Sequence, residues 1–250
     1  MAKTDDRQTE AQNTRLTPGA RESAGVPVSG GAEVERFLAA ARAMPPARAA
    51  DGQGRLAFAL DATGSRQATW SLACDIQADM FAAAAAHGGL DIQIVYYRGS
   101  DECRASLFVK DAATLGRLMR KISCEGGLTQ IRRVLAHLSR EAERTGLKAA
   151  IFVGDAVEED AAELKEAAGQ LALRGVRLFM FQEGHDARVE DVFRGLAAVT
   201  GGAWCRFDAR APDELRQLLA AVAAYAAGGR VALTARRDAG ARRLISAMGG

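Results

Sequence analysis

From residue 55 onward the sequence alternates between short apolar runs and longer segments with helical periodicity. The runs have the length of β-strands and are almost continuously apolar, which is typical of strands buried on both faces of a sheet. A helix between two strands allows them to lie parallel. The pattern therefore predicts a doubly wound, Rossmann-like α/β domain. We expect a mostly parallel six-stranded sheet with helices on both faces.

One link in this alternation is too short to contain a helix. The six residues RGSDEC, 98–103, have the length of a hairpin, so the run that follows them is predicted to be an antiparallel edge strand. The predicted strands are Leu56–Leu60, Ile92–Tyr97, Ala105–Val109, Ala149–Val153, Val176–Phe181 and Ala203–Phe207. The predicted helices cover about residues 66–86, 112–122, 130–145, 158–174, 186–200 and 211–227.

The segments on either side of the alternating region differ from it in composition. Residues 1–31 are polar and have few large apolar side chains, so we expect a disordered tail. Residues 32–53 predict an amphipathic helix followed by a Pro- and Gly-containing linker. That helix either packs on its own domain or docks on a partner. Its apolar face comprises Val34, Phe37, Leu38, Ala41 and Met44.

The alternating region, residues 54–228, is predicted to be one domain, and residues 229–250 a basic tail. This last segment contains five arginines and one aspartate. Two interpretations stay open, a solvated tail or a segment that binds an anionic partner. The first is the more ordinary one, because no aromatic residues alternate with the arginines as they do in many single-strand nucleic-acid binders.

Composition limits the classes of function. The net charge of the whole chain is +2, which favours neither a nucleic-acid nor a membrane partner. No apolar run reaches the roughly 18 residues of a membrane span, and residues 1–12 lack the apolar core of a signal peptide. The four cysteines are scattered without zinc-site spacing, so we expect reduced thiols and a cytoplasmic location. The three histidines have no recognisable Ser or Cys partner, which leaves nucleophilic catalysis unsupported.

Oxygen-bearing side chains occur in three loops that end predicted strands or begin predicted helices. Asp61, Thr63 and Ser65 follow the first strand, Thr129 follows a Gly-Gly pair at a helix start, and Asp155 follows a later strand. Ligands of open α/β sheets bind beyond the carboxyl ends of the strands. Two carboxylates and three hydroxyls, without thiolate or imidazole, suit Mg²⁺ or Mn²⁺ better than zinc. The sequence therefore predicts a divalent-metal site from these five residues.

This set of residues resembles the metal-ion-dependent adhesion site (MIDAS) of von Willebrand factor type A (VWA) domains. Asp61-Ala-Thr63-Gly-Ser65 matches the family's D-x-S-x-S motif with Thr for the first Ser, and the later motifs match Thr129 and Asp155 in the family's order. The resemblance covers residues 54–228. It implies direct metal contacts from Thr63 and Ser65, a contact from Thr129 when the site is occupied, and water-mediated roles for the two aspartates.

The resemblance also implies a function. Domains of this family bind proteins, and an incompletely coordinated cation captures an Asp or Glu side chain of the partner. Intracellular members serve as adaptors or scaffolds, some of them with AAA+ ATPases or metal-insertion assemblies. A non-enzymatic, metal-dependent protein-binding module is therefore expected. A decayed site that no longer binds metal is the more modest alternative.

A second resemblance leads to a different chemistry. The sequence DATGS also looks like the phosphorylation loop of haloacid-dehalogenase-type phosphatases, in which Asp61 would be the nucleophile. The segment VGDAVEED would then supply the metal loop, with Asp160 as a further acid. Such an enzyme also needs a lysine at the transferring phosphoryl group. Lys110 and Lys121 are available, but neither lies in a recognisable motif.

Overall fold

The computed structural model of the chain describes residues 54–85, 87–208 and 211–249. The tail expected for residues 1–31 and the helix and linker expected for 32–53 lie outside these ranges. The strands are β1 (Gly54–Asp61), β2 (Leu90–Arg98), β3 (Glu102–Ala105), β4 (Ala149–Gly154), β5 (Arg177–Glu183) and β6 (Ala203–Phe207). The helices are α1 (Gln67–Ile76), α2 (Ala78–Ala85), α3 (Ala112–Met119), α4 (Ile131–Thr145), α5 (Ala161–Leu173), α6 (Ala187–Thr200), α7 (Pro212–Ala235) and α8 (Ala239–Ala247).

The six strands form one sheet in the order β3-β2-β1-β4-β5-β6. All neighbours are parallel except β2 and β3, which are antiparallel. The predicted fold class is therefore confirmed, including the antiparallel edge strand. The end at which the parallel strands finish is called the carboxyl end of the sheet below, and the opposite end is called the amino end.

The bounds of the edge strand were predicted wrongly. We expected Ala105–Val109, but β3 comprises Glu102–Ala105 and begins inside the predicted hairpin. The turn is tight because Gly99 adopts a positive φ of 58°, and Arg98 then pairs directly with Glu102. Beyond β3, Val109 makes an isolated bridge to Ile92. The hydrophobic run therefore includes residues that follow the strand.

Each face of the sheet carries its own hydrophobic core. Along β1, side chains alternate between the two faces, as the two-residue period of a strand requires. Leu56, Phe58 and Leu60 face one core, and Ala57 and Ala59 the other. The first core is closed by α1, α2, α3, α7 and α8, through residues such as Trp70, Met80, Leu115, Leu219 and Leu244. The second is closed by α4, α5 and α6, through residues such as Leu135, Leu164 and Phe193.

Residues 229–249 differ from the expected solvated tail. They continue α7 and form α8, which packs on α7 and β6. Leu233 and Leu244 are fully buried in the first core. Gly229, with φ 66° and ψ −159°, breaks the regular helix inside α7. Four of the five arginines are exposed and only Arg236 is half-buried, so the basic composition of the segment concealed the apolar residues that anchor it.

Helix α7 is long and apolar enough to cross a membrane, with a mean hydropathy of 1.5 over 18 residues. Its apolar side chains pack instead against α2 and β1, and 56% of that window is buried inside the domain. Core helices of globular domains have the same length and composition. The packing therefore accounts for the hydropathy of α7 without a membrane.

Candidate functional site

The first and third loops of the predicted metal site meet at the carboxyl end of the sheet. Asp61 is the last residue of β1, and Asp155 directly follows β4. These two strands are parallel neighbours, with Leu60 beside Val153. The chain turns to opposite sides of β1 for β2 and β4, so the two aspartates lie where the strand order reverses. That position is the usual ligand site of an open α/β sheet.

The Asp61 loop is held by its own hydrogen bonds. The backbone N–H of Thr63 donates to Asp61 Oδ1 over 2.8 Å, and the N–H of Arg66 donates to the Thr63 carbonyl over 2.9 Å. A single 3₁₀ turn, Gly64–Arg66, follows. Ser65 is exposed, and its hydroxyl donates to Asp155 Oδ2 over 3.3 Å. The turn therefore brings Ser65 across to the second aspartate.

Two carboxylate oxygens in this site are buried and have no hydrogen-bond partner in the described part of the chain. They are Asp61 Oδ2 and Asp155 Oδ1. Asp61 is only 3% exposed, and this burial raises the pKa of its carboxyl group, while hydrogen bonding from Thr63 lowers it. An unpartnered buried carboxylate oxygen is costly, because it has lost its water without gaining a donor. The donor set therefore fits a cation on the side of these two oxygens.

Tyr97 lies beside Asp61 in the second core. Its hydroxyl is buried and interacts with the Asp61 carboxylate, although the pair falls outside normal hydrogen-bond geometry. Burial raises the pKa of Tyr97 well above its usual value, and the charge of Asp61 raises it further. Tyr97 therefore stays protonated, and the side chain next to Asp61 is uncharged.

Thr129 belongs to the same end of the sheet but has other partners. Its hydroxyl donates to Glu159 Oε2 over 2.7 Å and accepts the N–H of Glu158 over 3.0 Å, while its own N–H donates to Glu158 Oε2 over 2.6 Å. The hydroxyl keeps one lone pair. The structure thus ties the Thr129 loop to the Asp155 loop through two glutamates that sequence reasoning did not include.

The Thr129 loop is also locked to the β2–β3 hairpin. Gly127 lies so close to Gly99 that a Cβ at this position would be 2.0 Å from the Gly99 carbonyl oxygen. Leu128 N–H donates to the same carbonyl over 3.2 Å, and Glu125 N–H donates to the Ala62 carbonyl over 2.9 Å. Three loops are therefore joined by backbone contacts around the Asp61 turn.

Arg66 is the principal feature of the site that sequence analysis missed. Its side chain is 2% exposed, and its guanidinium contacts Glu183 of β5 and lies 3.6 Å from Asp155 Oδ2. Thr69 donates to the same Glu183. Two guanidinium nitrogens, Nε and Nη2, are buried and have no partner among the described residues. A resident positive charge therefore already lies beside one of the two aspartates.

The five predicted residues are thus grouped unequally. Asp61, Thr63, Ser65 and Asp155 come together directly, whereas Thr129 joins them through Glu158 and Glu159. In the described ranges, no three His, Cys, Asp or Glu side chains are arranged to hold a metal ion without help from hydroxyl groups. A cation here would depend on Ser65 and on the two aspartates.

The residues expected for a phosphatase are arranged differently. Asp160 caps α5, accepting the N–H groups of Ala162 and Glu163 over 2.9 and 3.0 Å. Lys110 and Lys121 are exposed, and Lys110 adjoins Val109, which pairs near the amino end of the sheet. The positively charged side chain beside Asp155 is therefore Arg66, and not one of the two lysines that a phosphatase would use.

Comparisons with known proteins agree with this fold. No protein-family model matches the sequence, and no curated protein matches it significantly. Among solved structures, the chain is similar to a von Willebrand factor type A protein from Catenulispora acidiphila, with 16% identity and a TM-score of 0.58 over 69% of this chain and 43% of that one. The VWA domain of SpRpn10 matches with 8% identity and a TM-score of 0.54, over 65% of this chain and 95% of that domain.

A third match bears on metal. Proximal thread matrix protein 1 from the mussel byssus, solved with a zinc-occupied MIDAS motif, is 15% identical with a TM-score of 0.52. The match covers 68% of this chain and 46% of that one. The chain spans less than half the length of several proteins that it matches. At these identities the comparisons show the fold, and the chain has the fold of a VWA domain.

Proposed function

We propose that this chain is a protein-interaction module that captures an acidic side chain of a partner protein through a divalent cation, Mg²⁺ or Mn²⁺. The observation that carries the proposal is a pair of buried oxygens, Asp61 Oδ2 and Asp155 Oδ1, which lie at the reversal point of the sheet and have no hydrogen-bond partner among the described residues. The VWA fold supports the coarser statement, because domains with this fold generally mediate protein interactions and one similar structure holds zinc at its MIDAS.

Each residue would have a separate role. Asp61 and Asp155 supply negative charge, Ser65 and Thr63 supply hydroxyl oxygens, and Thr129 supplies the remaining lone pair of its hydroxyl. A bound cation would neutralise the two aspartates and leave a coordination position for a carboxylate from outside. Ser65 is the exposed member of the set, so the partner would approach from its side.

The phosphatase alternative is less consistent with the geometry. A nucleophilic aspartate must reach phosphorus in line, yet Asp61 is 3% exposed and one of its oxygens is held by Thr63 N–H. Asp61 is instead placed to orient the loop, as residues around metal ligands commonly are. We therefore expect no hydrolysis of p-nitrophenyl phosphate above background with Mg²⁺. Turnover that Asp61→Asn abolishes in a folded chain would favour the phosphatase.

Metal binding is tested by thermal unfolding with added Mg²⁺, Mn²⁺ or Zn²⁺. A ligand of the folded state at one hundred times its Kd stabilises it by about 2.7 kcal/mol, so the Tm should rise with concentration. Asp61→Ala should remove the response. Asp111→Ala is the matched control, because Asp111 caps α3 and does not take part in the site. The proposal would be contradicted if the Tm of the native chain did not change on addition of any of the three cations.

Partner capture is tested by affinity purification with and without EDTA. We place AAA+ ATPases and metal-insertion assemblies first among the partners to examine, and a cytoplasmic extract as the source. Thr129→Ala should weaken capture, and Thr129→Ser, which keeps the hydroxyl, should retain it. Capture that neither EDTA nor Thr129→Ala changes would place the partner on another surface.

A further inference from the structure

A pocket of about 660 Å³ lies at the amino end of β5 and β6, far from the Asp61 site. Its wall contains three arginines, Arg177, Arg194 and Arg230, and no aspartate or glutamate from the described part of the chain. Volumes of roughly 300–1,000 Å³ are typical of small-molecule sites. Three guanidinium groups around one cavity without a lining carboxylate leave a positive potential that an anion would neutralise.

Two of these arginines are fixed in place. Arg177 opens β5 and donates through Nη1 to the Gly201 carbonyl. Arg194 of α6 lies 3.9 Å above the Trp204 ring and reaches Glu190 over 2.7–2.8 Å. Since Glu190 also binds Arg206, one carboxylate serves two arginines and a positive charge is left over. Guanidinium groups that are already ordered lose little entropy when a ligand binds.

Arg230 has no such partner. It follows Gly229, whose positive φ redirects the backbone inside α7, and it is exposed. Within the described ranges its side chain makes no hydrogen bond or ion pair. The charges of Arg177 and Arg230 both lower the pKa of the Tyr225 hydroxyl, against the larger effect of burial, which raises it. Arg177, Arg230 and Tyr225 all line the pocket.

The composition of the pocket distinguishes it from the larger cavity nearby. That cavity, of about 890 Å³, shares Arg194 with the pocket and also contains Arg206 and Arg243, and these three arginines are balanced by Glu183, Asp208 and Glu214. The pocket at the amino end has no such balance. It also has apolar walls from Ala197 and Met248, which suit the organic part of a ligand.

We propose that this pocket binds a phosphate-bearing small molecule. Guanidinium forks match phosphate oxygens in geometry, and a dianionic phosphate suits three arginines better than a single carboxylate does. Arg177 and Arg230, with the Tyr225 hydroxyl as a further donor, bind the phosphate, and the apolar walls contact the rest of the molecule. This proposal needs no metal and does not depend on the function assigned to the Asp61 site.

The test is isothermal titration calorimetry of the full chain with inorganic pyrophosphate and with AMP. EDTA is present throughout, so that metal complexes of the probes are excluded. We expect saturable binding of pyrophosphate, and of AMP through the same residues. Arg230→Gln should weaken the affinity roughly tenfold or more, as expected for a lost hydrogen bond to a charged group. Arg230→Lys should restore part of it, because it keeps the charge without the fork.

Arg237→Gln is the matched control. Arg237 is an exposed arginine a few residues further along the chain and does not line the pocket. Its substitution changes the net charge equally and should leave the affinity unchanged. The proposal is overturned if the native chain shows no saturable binding of pyrophosphate at millimolar concentration. It is also overturned if Arg237→Gln weakens binding as much as Arg230→Gln, since the attraction would then be diffuse.

Discussion

At the two ends of the parallel sheet, side chains of opposite charge hydrogen-bond to the helix termini. At the carboxyl end the helices begin, and carboxylates accept their first N–H groups: Asp160 caps α5, Asp186 caps α6, and Glu159 accepts the N–H of Arg132 in α4. At the amino end the helices finish, and basic side chains donate to carbonyls at or just beyond their last turns: Arg55 to Thr145, Lys148 to Arg174 and Arg177 to Gly201. Both arrangements complement the helix dipole.

Some charged side chains at each end of the sheet do not hydrogen-bond to a helix terminus. Asp61 and Asp155 lie at the carboxyl end, yet neither caps a helix, and each keeps a buried oxygen without a partner in the described chain. Arg230 lies by the pocket at the amino end, and its side chain donates to no described carbonyl. Charges that satisfy helix termini need no further explanation. Those that remain are the ones for which a ligand is the simplest partner.

The largest expected effect is that of Arg66→Met. Removing one member of a buried ion pair leaves its partners uncompensated, and such changes cost about 3 kcal/mol or more. Glu183 and Asp155 are about a quarter exposed, which favours the lower figure. Because a divalent cation would replace the lost positive charge beside Asp155, the variant should recover more stability from Mg²⁺ than the native chain does. Urea denaturation with and without Mg²⁺ measures both effects.

Arg132→Met is the control for that experiment. Arg132 pairs with Glu163 over 2.9 Å, but both side chains are more than half exposed. Exposed pairs of this kind contribute roughly 0–1 kcal/mol, so the variant should be nearly as stable as the native chain. Equal losses in Arg66→Met and Arg132→Met would mean that Arg66 does not act as a buried charge.

A pair of glycines allows the two ends to be disturbed separately. An alanine Cβ at Gly127 would lie 2.0 Å from the Gly99 carbonyl oxygen, and one at Gly202 would lie 2.0 Å from that of Leu178. Each substitution forces backbone apart and should cost about 1–3 kcal/mol. Gly127→Ala should reduce the Mg²⁺ response and leave pyrophosphate binding intact, and Gly202→Ala should do the reverse.

Gly126→Ala controls for the loss of glycine itself. A Cβ there would meet nothing within 4 Å. We expect its free energy of unfolding to stay within about 0.5 kcal/mol of the native value, as is usual for surface substitutions. If both clashing variants impaired both ligands alike, the two ends would be coupled through the fold, and the comparison would fail.

The sequence alone predicted five of the six strands and the oxygen-bearing loops, because both are local patterns. Asp61, Thr63 and Ser65 lie within five residues, and parallel topology then brings Asp155 beside them. The role of Arg66 could not be foreseen, because its partner Glu183 is more than one hundred residues away and neither residue has a distinctive motif. Thr129 was predicted as a ligand, but its ties to Glu158 and Glu159 depend on how two loops pack.

The arginine pocket was missed for a similar reason. Arg177, Arg194 and Arg230 come from three different elements, and nothing in their spacing connects them. The segment after residue 228 was interpreted as a tail because five arginines against one aspartate give it a local charge of +4. Four buried residues, Ala232, Leu233, Ala241 and Leu244, pack it against the domain. Burial at a few positions therefore decided the local structure against the average composition.

The smallest expected effect sets a background for any pH study of the two ends. His137 on α4 contacts Gln93 over 2.9 Å, and burial lowers the pKa of its imidazole below 6.5. The unfolded chain therefore takes up this proton at a higher pH than the folded chain does. Stability due to this residue is present above pH 6.5 and is lost as the pH falls towards the lowered value. His137→Gln should remove that slope.

The measurement is urea denaturation at several pH values between 7.5 and 5. The difference in unfolding free energy should shift in favour of His137→Gln as the pH falls. A difference in unfolding free energy that does not vary with pH reflects the altered contact with Gln93, so only the pH-dependent part reports the titration of His137. Parallel curves for the two proteins would show that His137 titrates alike in the folded and unfolded states.

Strand β4 has six residues, Ala149–Gly154, and runs the full distance between the two ends. At about 3.3 Å per residue it is roughly 20 Å long. Salt at physiological ionic strength screens exposed charges beyond about 8 Å. The electrostatic interaction between a cation at Asp155 and a phosphate at Arg177 would therefore be largely screened. In about 0.01 M salt the screening distance grows to about 30 Å, and the same short strand would let each ligand attract the other.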